Sequence, residues 1–147
     1  MATYKGVNRT LADNPVGSNI MDPGVQQGKV RVIMETYEAS ALAIGSIIEV
    51  GELIPKGSRV LDVVLTHDAL GAATFDVGDY EDTDRYFNDE SVAVANALHR
   101  LNLIDGRQYK VDETTPGATT TDRQVIITTA GAVITGTIKI EIYYTQE

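Results

Sequence analysis

The densest group of side chains that could perform chemistry is a cluster of five carboxylates within nine residues. The cluster consists of Asp76, Asp79, Glu81, Asp82 and Asp84. Calcium takes about six to eight oxygen ligands, and a loop rich in carboxylates can supply several of them. The spacing does not fit an EF-hand, because the position that requires glycine falls on Phe87 or on Asp84. We therefore expect a solvated acidic turn balanced by Arg85, with no metal, and keep a calcium site as the alternative.

The two histidines are the other groups suited to acid–base or metal chemistry. His67 falls in a predicted turn and His99 in a segment of ambiguous structure, and neither belongs to a metal-binding spacing such as H-E-x-x-H. The chain contains no cysteine, which excludes disulfides and thiolate zinc sites. It also lacks nucleophile-elbow, P-loop and dinucleotide-binding motifs. We expect two ordinary loop or surface histidines, no cofactor, and a protein that is not an enzyme.

The composition fits one soluble domain that binds neither nucleic acid nor membranes. With 147 residues, the chain is long enough to bury a substantial core without disulfides. Its formal net charge of -9 opposes the phosphate neutralisation on which nucleic-acid binding depends. No apolar run approaches the roughly 20 residues of a membrane-spanning helix, and the N-terminus lacks a secretory pattern. We expect a soluble protein that is made in the cytoplasm.

The stretch that organises the chain covers residues 51–87. Within it, residues 59–66 are rich in β-branched side chains and predict a buried strand, with Val60 and Asp62 on the same face. Residues 73–77 alternate between apolar and polar side chains, which predicts a half-buried strand antiparallel to the first. The acidic turn closes this unit.

Other segments extend the same pattern. Further strands are predicted at residues 29–38, 46–50, 108–111, 123–129 and 135–145. The last is the clearest, and its inward side chains are Ile138, Ile140, Ile142 and Tyr144. Residues 39–45 could form one helical turn, and residues 88–103 a short helix or an irregular edge. Roughly seven or eight short strands predict an all-β fold, a single antiparallel β-sandwich that is jelly-roll-like and occupies residues 29–147.

Residues 1–28 differ from the rest because proline, glycine and asparagine interrupt every potential element. They predict an extended N-terminal arm. Its apolar residues include Tyr4, Val7, Leu11 and Ile20. These side chains make the arm too apolar for a solvated linker, so we expect it to lie on a neighbouring molecule or on its own barrel.

Several short sequence segments resemble those of decoration or cement proteins of tailed-phage heads. They are IPKGSRVL at residues 54–61, FDVGDYEDTDRYF at 75–87, ATYKGVNR at 2–9 and TGTIKI at 135–140. The resemblance implies a virion protein that binds the capsid surface between capsomers and stabilises the head shell. It also implies a homotrimer whose partner is the major capsid protein, made in the host cytoplasm. The apolar arm residues would then contact the capsid or a neighbouring subunit.

Two alternatives stay open. One is another virion position, such as a head-completion, tail or fibre-base protein. The other is a carbohydrate-binding β-sandwich module, although the chain has no tryptophan and few paired aromatic residues. A glycosidase would need two carboxylates facing each other across about 5 to 9.5 Å, which one turn does not provide.

Overall fold

The computed structural model describes residues 29–101, 109–111 and 123–146, and every regular element among them is a β-strand. The strands are β1 (Lys29–Leu42), β2 (Ile47–Ile54), β3 (Arg59–His67), β4 (Thr74–Asp79), β5 (Phe87–Ser91), β6 (His99–Arg100), β7 (Arg123–Ala130) and β8 (Ile134–Gln146). The predicted arm lies outside these ranges, and its boundary at residue 28 stays a prediction.

The strands form two four-stranded sheets, in the orders β1-β8-β3-β6 and β2-β7-β4-β5. The first strand pairs with the eighth, the second with the seventh, the third with the sixth and the fourth with the fifth, all antiparallel. This nested pairing is that of a long hairpin rolled up so that alternate strand pairs fall in opposite sheets, which is the jelly-roll arrangement. The predicted all-β, jelly-roll-like sandwich is confirmed.

One of the two inner strands of the first sheet is β8, which lies between β1 and β3. Its predicted inward residues Ile138, Ile140 and Ile142 are buried, and Tyr144 is half-buried against the same core. The period-2 alternation of this strand therefore determines its buried face, as the sequence predicts.

The second sheet supplies the opposite side of the core. Phe75 and Val77 of β4 are fully buried. Ile127 of β7, which lies opposite Val77 in the strand register, is buried beside them. The two sheets therefore meet largely through aliphatic side chains, which explains why the domain needs no disulfide.

A β-bulge in β3 changes which of its side chains face the core. We expected Val60 and Asp62 on one face, but the pairing with β8 shifts between these two residues, so one extra residue enters the strand. Such an insertion reverses the alternation that follows it. Val60, Val63 and Leu65 are consequently all fully buried. Val60 therefore lies on the same face as Val63 and Leu65, so its predicted grouping with Asp62 is wrong, although the strand itself is present.

Two further predictions about pairing and helix are wrong. β4 does not pair with β3, because the connection between them crosses to the other sheet and β4 pairs with β5 and β7. Residues 39–42 continue β1 through a bulge, with Ala41 at φ 49°, because β8 offers a partner that one isolated helical turn would lack.

The ambiguous segment after the acidic turn contains two short strands, β5 and β6, joined by residues 92–98. Asp89 and Asn96 have φ values of 53° and 57°, in the left-handed region that interrupts a right-handed helix. Of the predicted strand at 108–111, Lys110 forms an isolated bridge with Arg59.

The strand directions place the described loops at two ends of the sandwich. Residues 43–46, 68–73, 92–98 and 131–133 form what we call the upper end. Residues 55–58 and 80–86 form the lower end, where the acidic turn connects β4 to β5.

Candidate functional site

The acidic turn at the lower end is built around Asp79, the last residue of β4. Its side chain is buried, with a relative exposure of 1%. One carboxylate oxygen accepts hydrogen bonds from the backbone N–H groups of Glu81 and Asp82, at 2.9 and 3.0 Å. The other oxygen accepts the Nε–H of Arg85 at 2.9 Å. Asp79 therefore holds the turn together and is not a solvated carboxylate.

Gly78 allows the same turn to fold tightly against the end of β4. A Cβ atom at this position would collide with the backbone of Asp82 and Thr83. The backbone N–H of Asp79 donates to the carbonyl of Asp82 at 2.9 Å, and the reverse bond is 3.2 Å long. Only glycine leaves room for this doubly bonded contact.

Two arginines neutralise part of the acidic cluster. Arg85 lies between Asp79 and Asp82, and its guanidinium stands 3.9 Å from the centre of the Tyr109 ring. Burial alone would lower the pKa of Arg85, but the hydrogen bond and the charge of Asp79 raise it, so the side chain stays protonated. The buried Arg123 of β7 donates to Glu81 at 2.7 Å.

Asp76 and Asp84 also bind groups outside the cluster. Asp76 accepts the backbone N–H of Asp89 at 2.7 Å, and Asp84 accepts the side-chain amide of Asn88 at 2.9 Å. Within the described residues, no group of three or more histidine, cysteine, aspartate or glutamate side chains is placed to hold a metal ion. The expected balance by Arg85 is present, and a calcium site would require the turn to give up these bonds.

The two histidines, which we expected to be separate loop or surface residues, are in contact. His67 closes β3 and is only 4% exposed, while His99 opens β6. Their Nε2 atoms are 2.9 Å apart. No local sequence signal could reveal this contact, because it depends on the pairing of β3 with β6.

The upper end carries exposed aliphatic side chains on three of its loops. They are Ile44, Val94, Leu98 and Val133, with relative exposures of 57 to 69%. These residues come from loops that are distant in sequence, so a pattern search along the chain does not group them. Other exposed apolar side chains, Val30, Val32 and Met34, lie along β1. An exposed apolar surface can serve as a protein interaction site.

The arm residues that we expected to contact a partner, Tyr4, Val7, Leu11 and Ile20, lie outside the described residues. No helix in the described part of the chain is long and apolar enough to cross a membrane.

Comparisons with known proteins identify the fold. No protein-family model matches the chain, and no curated protein sequence matches it. A chain of the cyanophage Pam1 capsid asymmetric unit is 24% identical with a TM-score of 0.68, covering 82% of this chain and 86% of that chain. A chain of the capsid of Ralstonia phage GP4 is 20% identical with a TM-score of 0.61, covering 88% and 93%.

A third structure, the acidic stable capsid of Helicobacter pylori bacteriophage KHP30, contains a chain that is 12% identical with a TM-score of 0.58, covering 80% of this chain and 87% of that chain. At these levels of identity the likeness establishes a shared fold. This jelly roll is the same fold as that of chains in three phage capsid structures.

Proposed function

We propose that this protein is a structural component of a phage virion, and specifically a decoration or cement subunit of the head. In this role it binds the outer surface of the capsid shell between capsomers of the major capsid protein, as a homotrimer. It acts by binding alone, with no catalytic step, cofactor or nucleic-acid contact. The observation that carries the proposal is the fold that the chain shares, over at least 80% of its length, with chains of three phage capsid structures.

The upper end is the surface that we assign to the capsid shell. Its aliphatic side chains Ile44, Val94, Leu98 and Val133 are exposed in the isolated chain. Burying apolar area contributes about 25 cal/mol per Å² removed from water, so a shell that covers these residues would be bound favourably. A cement subunit needs such a surface because it must hold two neighbouring capsomers at once.

The arm supplies the second contact in this proposal. Tyr4, Val7, Leu11 and Ile20 would bury their apolar surface against the capsid or a neighbouring subunit. Deletion of residues 2–24 should leave the β-sandwich folded and abolish attachment. A truncated protein that saturates capsids at the wild-type ratio would remove the arm from the proposal.

A cryo-EM reconstruction of the particle that carries the chain tests its position. Trimeric density on the outer shell between capsomers is the expected result. Density at the neck, tail or fibre base would replace the cement role with another virion role. A glycan array that shows binding would instead support a carbohydrate-binding module.

A matched pair of leucines tests the upper end. Leu98 lies at the upper end and Leu53 near the lower end, and both are exposed, at 63% and 45%. Leu98→Asp should lower capsid occupancy at a fixed protein concentration, whereas Leu53→Asp should leave it near the wild-type value. Equal occupancy of the two variants would exclude the upper end as the docking surface.

A further inference from the structure

His67 and His99 meet end to end. Their ring centroids are 5.1 Å apart and their Nε2 atoms 2.9 Å apart, with ring planes inclined by 24°. Because the centroid separation exceeds the Nε2 separation by about the two ring radii, each Nε2 points almost directly at the other. This is the geometry of a hydrogen bond between two ring nitrogens.

The opposite nitrogen of each ring faces an oxygen that can only accept. Nδ1 of His67 is 2.7 Å from the backbone carbonyl oxygen of Asp68. Nδ1 of His99 is 3.2 Å from a carboxylate oxygen of Glu90. The His67 contact therefore requires a proton on Nδ1, and the negative charge of Glu90 favours a proton on Nδ1 of His99, which gives both rings the same tautomer.

Two neutral rings of that tautomer would place one Nε2 lone pair against the other at 2.9 Å. A cation must separate them. A transition metal bound at about 2.0 to 2.1 Å from each nitrogen would need roughly 4 Å in this collinear arrangement. A single proton fits the observed distance, so the geometry favours a proton.

The surrounding charges suit one positive charge. Glu90 of β5 contacts His99 directly. Asp68 and Lys139 line the depression next to His67 together with Thr66, Asn96 and Thr137, and their charges oppose each other. Hydrogen bonds from the backbone and side chain of Thr137 lower the pKa of Asp68, so it stays ionised in mild acid. Phe75 packs against His67 and carries no charge.

We propose that His67 and His99 share one proton and act as an acid-sensitive latch that fastens β6 and residues 92–98 to the end of β3. Neutral His67 accepts the Nε2–H of a protonated His99, whose charge is balanced by Glu90. A second proton would set two Nε2–H groups against each other and would charge the buried His67 ring, which breaks the latch.

Besides the latch, this edge is held by backbone pairing and by Arg100 of β6, whose Nε–H donates to Asp62 of β3 at 2.9 Å. β6 contains two residues, and its pairing with β3 involves Val64 and Leu65. The backbone N–H of Asn96 donates to the carbonyl of His67 at 2.8 Å, and that of Leu101 to Val63 at 3.0 Å. The loop that would be released carries Val94 and Leu98, so acid would also rearrange part of the upper end. The latch itself does not depend on the proposed function.

NMR on the full chain with ¹⁵N-labelled histidine tests the proton count, since the chain has two histidines. In the latched state, His67 should carry a proton on Nδ1 only and His99 a proton on both nitrogens, which ¹⁵N shifts recorded from neutral to mildly acidic pH would show. Two independently titrating neutral rings, or a proton on Nε2 of His67, would overturn the proposal. A change of both Nε2 signals on adding stoichiometric Zn²⁺ with the loss of one proton per chain would replace the proton by a metal site.

Amide hydrogen exchange tests the latch. Lowering the pH from about 6 to about 5, below the usual histidine pKa of about 6.5, should increase local opening at Asn96 and Leu101 by up to about tenfold after correction for intrinsic exchange, because the open state then binds two protons and the latch only one. In His99→Gln the side-chain amide can donate to a neutral His67 and, after turning over, accept from a protonated one. Opening in this variant should therefore be nearly independent of pH.

An equal pH dependence in wild type and His99→Gln would exclude the latch. If His99→Gln does not fold, His67→Gln provides the same comparison, and the NMR measurement needs no variant.

Discussion

The two ends of the sandwich use their side chains in opposite ways. At the lower end, Asp79, Glu81, Arg85 and Arg123 take part in charged hydrogen bonds within one turn and its neighbouring strand. At the upper end, aliphatic side chains face solvent, and two histidines join separate elements through one contact. The charged cluster that suggests chemistry in the sequence therefore serves structure, while ordinary-looking loops form the candidate interaction surface.

The largest loss of stability should come from removing the Asp79 side chain, around which the acidic turn at the lower end is built. Asp79→Ala deletes the hydrogen bonds from Glu81, Asp82 and Arg85. Arg85 would lose its main partner, which should lower the free energy of unfolding by about 3 to 5 kcal/mol. Urea unfolding measures this change.

Asp68→Ala is the matched variant at the upper end. There an exposed carboxylate accepts the backbone N–H of Thr137, and its removal should cost far less than the removal of Asp79. Similar losses for both variants would erase the difference between the ends.

A smaller effect is expected at Gly78. Gly78→Ala forces the backbone of residues 82–83 away from β4 and should lower the free energy of unfolding by about 1 to 3 kcal/mol. Hydrogen exchange should show faster opening at Asp82 and Arg85, whose amides bond within the turn, and unchanged opening at Asn96. Faster exchange at both ends would show that the ends are coupled.

The smallest effect should come from relieving repulsion within the acidic turn. The hydrogen bond to Asp84 raises the pKa of Asp82 above its ordinary value, so the folded state binds this proton more readily than the unfolded state. The resulting stabilisation exists in acid and is lost as the pH rises through the folded-state pKa.

Asp84→Asn should therefore raise the free energy of unfolding at neutral pH by about 0.3 kcal/mol, a small value because the pair is partly solvated. The gain should vanish below about pH 4, where carboxylates are protonated. Urea midpoints at the two pH values measure it. An equal gain in stability at the two pH values would show that the new side-chain amide causes it, and not the loss of charge repulsion.

The sequence predicts those parts of the fold in which one strand and one face determine burial. The alternation from residue 135 to 145 gives β8 and its buried isoleucines directly. The sequence pattern does not predict the bulge after Val60, because the extra residue is defined only by the register between β3 and β8. The candidate site depends on pairing even more strongly, since the contact between His67 and His99 arises from residues distant in sequence that only the pairing of β3 with β6 brings together.

The pairing of β1 with β8 joins the two extremes of the described chain, with Lys29 opposite Gln146. β8 lies between β1 and β3 in the first sheet. Until β8 is present, β1 therefore has no strand to pair with, and β3 can pair only with β6. During synthesis, this sheet can close only after β8 has left the ribosome. Closure should then take milliseconds to seconds, as it does for proteins dominated by long-range strand pairing.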